Sequence, residues 1–251
     1  MPASLVIKII IVVVIGFIGI GIYSILRDSN KKDTFIPQSQ PVKEKSTSLV
    51  NENENVTVVL DILNALNWFY LSTQNNINEN SEFSEIIQAT LTSSNNLKNG
   101  IAQIEKYINH PNEVIQLSTE GMVMGANQVI QANDTFVSYL RSPNIADADY
   151  QAGLYLANQK EGYQLITLSA PQITTLLYEP AASENPTGKV PYKITEAERK
   201  SILNTIERLF GDELRLYKKT AGKGDANSII FTVNSIYKNI YPDTYEQFSN
   251  Q

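Results

Sequence analysis

His110 is the only histidine in the chain. A lone imidazole can serve as a general base or a zinc ligand, but both roles need companion ligands or a nucleophile, and the sequence offers no such set. His110 lies between Asn109 and Pro111, at the end of a predicted helix. A helix C-terminus favours a cation there, so the residue reads as structural. The absence of cysteine excludes disulfides, thiolate zinc sites, a cysteine nucleophile and a lipid-modified N-terminal cysteine.

Two Gly-Lys pairs invite a phosphate-loop reading, and both fail it. Gly188-Lys189 is followed by Val190, with Ser183 where the upstream glycine is required. Gly222-Lys223 is followed by Gly224, with Tyr217 upstream. Neither fits G-x-x-x-x-G-K-[ST], so both read as turns. The acidic pairs Asp147/Asp149 and Glu196/Glu198 sit at predicted helix starts, where carboxylates complement the dipole. Paired catalytic acids would need surroundings that separate their pKa values, and the sequence shows none. No catalytic residue, metal site or cofactor is assigned. Asn55-Val56-Thr57 and Asn133-Asp134-Thr135 match the glycosylation sequon, a chance match in an asparagine-rich chain.

Two segments depart from this blandness. Gly121, Met122, Met124 and Gly125 stand together in a helical pattern. Two glycines cost about 2 kcal/mol of helix propensity relative to alanine, so something must offset them. Close helix–helix approach is the favoured account. The alternative is a small-ligand pocket lined by the flexible Met122 and Met124. Near the C-terminus Tyr237, Tyr241, Tyr245 and Phe248 recur at helical spacing, although Pro242 interrupts the ladder. They form either the edge of a core or a partner surface.

The elements that hold these residues are read from apolar spacing. Val59, Ile62, Leu63, Leu66, Phe69 and Tyr70 make one helical stripe, widened by Val58, Ala65 and Trp68, which predicts a central helix. A second helix is predicted over 82–109, a third over 112–141 and a fourth over 146–178 with a kink at Pro171. The Pro- and Gly-bearing stretch 179–193 is a loop. Thr195 and Glu198 form a capping box for a fifth helix, which Gly211-Asp212 could break. Asp225 is the expected N-cap of a sixth, carrying Ile229, Val233, Ile236 and Ile240. The fold class is all-α: an N-terminal transmembrane helix followed by a bundle of about six helices over residues 56–251.

The anchor is the plainest device. Ile9–Leu26 is an uncharged apolar run of 18 residues, about 27 Å as a helix and close to the hydrocarbon thickness. Lys8 can snorkel, and Tyr23 and Arg27 fit the far interface. A cleaved signal peptide has a shorter core, ~7–15 residues, and a small-x-small site after it. Here the nearest match, Gly19-Ile20-Gly21, lies inside the run. Residues 28–55 are polar, carry Pro37 and Pro41, and read as a disordered linker spanning about 30 Å.

Residues 1–50 hold six basic and three acidic side chains, a net of +3, which leaves −9 on the remainder of a chain of net charge −6. An acidic body disfavours nucleic acid as a partner. Lys8 lies before the apolar run, with Arg27, Lys31 and Lys32 after it; a strict positive-inside count places the body in the cytoplasm. The short N-tail and the diluting Asp28 and Asp33 favour export. The expected topology is therefore single-pass, N-in and C-out, in the cell membrane. The layout resembles that of single-pass anchored bacterial proteins. Expected partners are the bilayer, through Ile9–Leu26, and a protein. The expected role is that of a non-enzymatic interaction or scaffold module, the alternative being a ligand-binding module at Gly121–Gly125.

Overall fold

A computed structural model describes residues 52–74, 77, 81–142, 144–178, 192–220 and 227–240. The apolar run Ile9–Leu26, most of the polar linker, both Gly-Lys pairs, Asp225, Tyr241, Tyr245 and Phe248 lie outside the described residues. The described chain is all-helical, with six α-helices: α1 Glu52–Ser72, α2 Phe83–Ile104, α3 Glu113–Arg141, α4 Ala148–Ser169, α5 Glu196–Thr220 and α6 Ser228–Ile240. Three 3-10 segments join or extend them, at Glu105–Tyr107, Ile145–Asp147 and Ala170–Leu177. Among the described residues there is no strand; one isolated antiparallel bridge pairs Tyr178 with Tyr192. None of these helices is long and apolar enough to cross a membrane.

The stripe expected in α1 is its buried face: Val58, Val59, Ile62, Leu63, Ala65, Leu66 and Phe69 are all fully buried. The helix starts at Glu52, inside the segment expected to be linker. Asn55 explains part of this: its amide donates to the Leu176 carbonyl at 3.5 Å, tying the first turn to the 3-10 segment after α4. Successive helices alternate in direction. Ser72, at the end of α1, meets Ser93 of α2, while Asp61 meets Lys106 and Tyr107 beyond the end of α2.

Three boundaries differ from the periodicity. The second helix ends at Ile104 and tightens to 3-10, because Tyr107 folds back on α1 and its hydroxyl donates to Asp61 at 2.7 Å. The fourth ends at Ser169 rather than kinking. Pro171 stands at the start of the following 3-10 segment, where it supplies no N–H and its ring excludes an α-helical carbonyl four residues back. Thr174 and Thr175 then donate to the Pro171 and Gln172 carbonyls. Gly211-Asp212 does not break α5: the helix runs through it, with Arg215 paired to Asp212 across one turn.

The caps are local and legible. Thr195 and Glu198 exchange hydrogen bonds at 3.2 and 2.8 Å, a complete capping box. Glu82 and Glu85 form another at α2, and the Asn112 carboxamide caps α3. At α6 the cap among the described residues is Asn227. Its side-chain oxygen accepts from the Ile229 N–H at 2.9 Å, and its amide donates to Thr73 at 2.7 Å, which also pins α6 to the end of α1.

Helix lengths set the shape. With 29 residues, α3 is about 43 Å long. With 21 residues, α1 is about 31 Å long. The apolar interior is accordingly divided. A main cluster joins α1, α5, α6 and the lower parts of α2, α3 and α4. A small second cluster, Ile86, Ala132, Phe136, Leu140, Ala152 and Tyr155, lies where α2, α3 and α4 continue past the end of α1.

Candidate functional site

The crossing of α3 and α4 contains the glycine-methionine segment. A Cβ placed on Gly125 would lie 2.3 Å from the Gly162 carbonyl oxygen. One placed on Gly162 would lie 2.6 Å from the Gly125 carbonyl oxygen and 2.6 Å from Val129 Cγ2. Gly121 meets a side chain instead, its would-be Cβ 2.0 Å from Ser169 Oγ. The helices therefore approach backbone to backbone, and the face that the glycines open is filled by α4. The propensity cost of the glycines is offset by this contact. Gly100 does the same for α2 on α1, its would-be Cβ 2.3 Å from the Phe69 ring.

The two methionines part company. Met122 is fully buried in the main cluster, whereas Met124 is 63 % exposed. On the outer side of the crossing Leu117 and Met124 stand seven residues apart on α3, and Leu168 lies on the neighbouring α4; Leu117 is 51 % and Leu168 61 % exposed. Gln128 bridges the same two helices, donating to Glu161 at 2.8 Å. The crossing thus turns its glycines inward, while three large apolar side chains of the same two helices stay exposed. Tyr237 faces the other way from a partner surface: it is buried in the main cluster, with the Lys218 ammonium 5.5 Å from its ring centre.

Immediately above the glycine crossing runs a buried polar layer that spacing does not announce. The Gln159 amide donates to Asn133 Oδ1 at 2.5 Å. The Asn133 amide donates to Ser94 Oγ at 3.0 Å and to Ser93 Oγ at 3.4 Å. Ser93 Oγ donates to the Ser72 carbonyl at 2.8 Å. Ser72 Oγ donates to the Phe69 carbonyl at 2.6 Å and meets the Tyr163 hydroxyl at 2.8 Å. Since the Ser72 hydrogen is committed to Phe69, Tyr163 is the donor of that last bond. Four helices are joined by one network of neutral groups. Burial pushes the Tyr163 phenol up to about 12, so it stays protonated near neutrality and cannot act as a base. The serine hydroxyls are bonded to carbonyls, amides and this phenol, an arrangement that positions helices and activates no nucleophile. Asn133 is buried within the network, so its sequon is closed to a glycosyltransferase in the folded chain.

At the opposite end His110 accepts the Asn112 N–H on Nδ1 at 3.1 Å, which leaves the ring hydrogen on Nε2 facing Glu54 at 3.2 Å. The imidazole braces the turn between α2 and α3 against α1. Asp147 caps nothing with its carboxylate, which accepts from the Asn144 amide at 2.8 Å; Asp149 stands in the first turn of α4. Glu196 pairs with Arg199. Among the described residues no three His, Asp or Glu side chains converge in a way that could hold a metal ion.

Gly100, Gly162 and the polar layer have sequence signals of a weak kind. An isolated glycine inside a helical pattern points to close approach. Ser93, Ser94, Asn133 and Gln159 occupy helical-stripe positions, where a polar residue reads as a solvated face until its neighbours are known. Comparison with known proteins adds no relative: no family model, no curated protein and no solved structure matches the chain.

Proposed function

We propose that this chain is a single-pass membrane-anchored interaction module, non-enzymatic, with its helical body held outside the cytoplasmic membrane by the N-terminal apolar run and linker. The observation that supports a partner surface is the group Leu117, Met124 and Leu168, large apolar side chains exposed on two adjacent helices. Single exposed apolar residues are ordinary, but a group on a rigid helix pair is a common form of contact site. The close glycine contact holds that pair rigid, which limits the entropy lost on docking. The polar groups of the buried layer, Ser72, Ser93, Ser94, Asn133, Gln159 and Tyr163, are engaged with one another.

Two measurements on native cells test this reading. Protease protection of a tagged C-terminus should leave the body accessible from outside the intact cell and the protein in the membrane fraction. A photo-crosslinking residue at Met124 should give a discrete adduct with a protein that a crosslinker at the exposed Gln172 does not give. Recovery of the chain in the soluble fraction, or identical products from both sites, would overturn the proposal.

A further inference from the structure

We infer that the far end of the bundle, built from the first part of α2, the last part of α3 and the first part of α4, opens as a unit while the rest of the fold stays closed. Four observations point the same way. The apolar interior is not continuous: Ile86, Ala132, Phe136, Leu140, Ala152 and Tyr155 form a cluster separate from the main one. The boundary between them is the polar layer Ser93, Ser94, Asn133 and Gln159. Along α3 the main cluster ends at Ile130 and the small one begins at Ala132, with Asn133 beside it. Along α4 Gln159 separates Tyr155 from Tyr163.

The third observation is the end of α1. Its last residue, Ser72, lies in the polar layer, so α1 supports the main cluster only. The fourth is size. Among the described residues the far cluster buries six apolar side chains, whereas the main one buries thirty-three. Regions with few buried apolar contacts open at lower free energy than the core to which they are joined.

The polar layer makes such an opening discrete. When the far end opens, Asn133 and Gln159 exchange their mutual hydrogen bond for water, whereas an apolar boundary would lose burial progressively. Below the layer the backbone contact of Gly125 with Gly162 stays closed, so the main cluster is not breached. The opened end would bare the stacked rings of Phe136 and Tyr155, whose centres are 4.3 Å apart, together with Ile86 and Leu140. The device is a latch: a part of the fold that shows an apolar face when open and hides it when closed. It does not rest on the membrane reading.

Hydrogen exchange followed by mass spectrometry on the full-length chain in detergent micelles tests it. Peptides covering 86–90, 134–140 and 150–156 should exchange as one group, with protection at least about tenfold below that of peptides from α1 and α6. Phe136→Ala should speed exchange of the first group on the order of a hundredfold and leave α1 and α6 unchanged. Where Phe136→Ala does not accumulate as folded protein, Phe136→Leu gives the same comparison with a smaller change. Equal acceleration in α1, α6 and the far end, by either variant, would show that the bundle opens only globally and would overturn the inference.

Discussion

Replacing Gly162 with alanine sets two effects against each other, and the structure decides between them. In a helix interior the change gains about 1 kcal/mol of propensity. Against this, the new methyl would lie 2.6 Å from the Gly125 carbonyl oxygen, 2.6 Å from Val129 Cγ2 and 3.2 Å from the Val129 nitrogen. Two of those atoms are backbone and cannot turn aside, so α3 and α4 must separate by roughly 0.8 Å to restore ordinary contact, a gap that forfeits a quarter to a half of the dispersion well along the seam. Overpacking of this kind costs about 1–3 kcal/mol, which exceeds the gain. Gly162→Ala should therefore destabilise the body by up to about 2 kcal/mol, a fall of up to roughly 8 °C in Tm for a body of this size.

Gly153 supplies the control on the same helix. Nothing lies within 4 Å of its would-be Cβ. Gly153→Ala should stabilise by about 0.5–1 kcal/mol, because only propensity and unfolded-chain entropy change. Thermal unfolding followed by circular dichroism reads both variants. Equal shifts in the same direction, or a Gly162→Ala protein more stable than the parent, would refute the claim that backbone contact fixes this crossing.

Asn133→Ala should cost about 2–3 kcal/mol in chemical denaturation, because it strands the Gln159 amide and the Ser94 hydroxyl in the interior. Asn227→Ala should cost about 1–2 kcal/mol, read in the same way, since it removes both the α6 cap and the tie to Thr73. Alkaline titration should expose the buried phenols. Tyr163 is raised to about 12 by burial, so the unfolded chain releases its proton first as pH rises past 10. The stability this phenol contributes is complete below pH 10 and is lost as pH climbs towards 12, with a slope of up to about 1.4 kcal/mol per pH unit. Tyr163→Phe should flatten that part of the profile, and an unchanged slope would count against its burial in the protonated form.

The fold was legible where burial and periodicity agree. Ile115, Met122, Ala126, Val129, Phe136 and Leu140 recur at helical spacing, and all are buried. So are Ile229, Val233, Ile236 and Ile240. Where polar side chains take inward positions the pattern misleads. In α2 the inward face runs Ile86, Thr90, Ser93, Ser94, Leu97, Gly100 and Ile104, and only its second half carries enough carbon to stand out. Ser93 and Ser94 can turn inward there because partners on α1 and α3 satisfy them, and those partners are distant in sequence, while Thr90 donates to the Ile86 carbonyl one turn back. The same limit hid the role of Gly162, since a glycine announces close approach without naming its partner. Boundaries failed for a different reason. Pro171 reads as a kink, but the conformation of the residues beyond it is decided by Thr174, Thr175 and the contacts of that segment with α1 and α6. His110 looked isolated because Glu54 lies 56 residues away.

The glycine crossing and the polar layer make a single junction. Gly162 stands beside Tyr163 and within one turn of Gln159, and Val129, which its would-be Cβ meets, stands one turn before Asn133. The backbone contact of Gly125 with Gly162 is therefore placed at the lower edge of the layer that divides the two apolar clusters. A clamp at that point limits an opening from above, because the seam below it has no side-chain slack to release. Loosening the clamp should consequently have a wider reach than emptying the far cluster. Gly162→Ala should raise exchange on both sides of the layer, including the Ile166 and Val129 amides, whereas Phe136→Ala should raise it only above. If the two variants gave the same exchange pattern, the boundary would not be the clamp, and the closeness of Gly125 to Gly162 would be a packing detail with no bearing on which part of the fold opens.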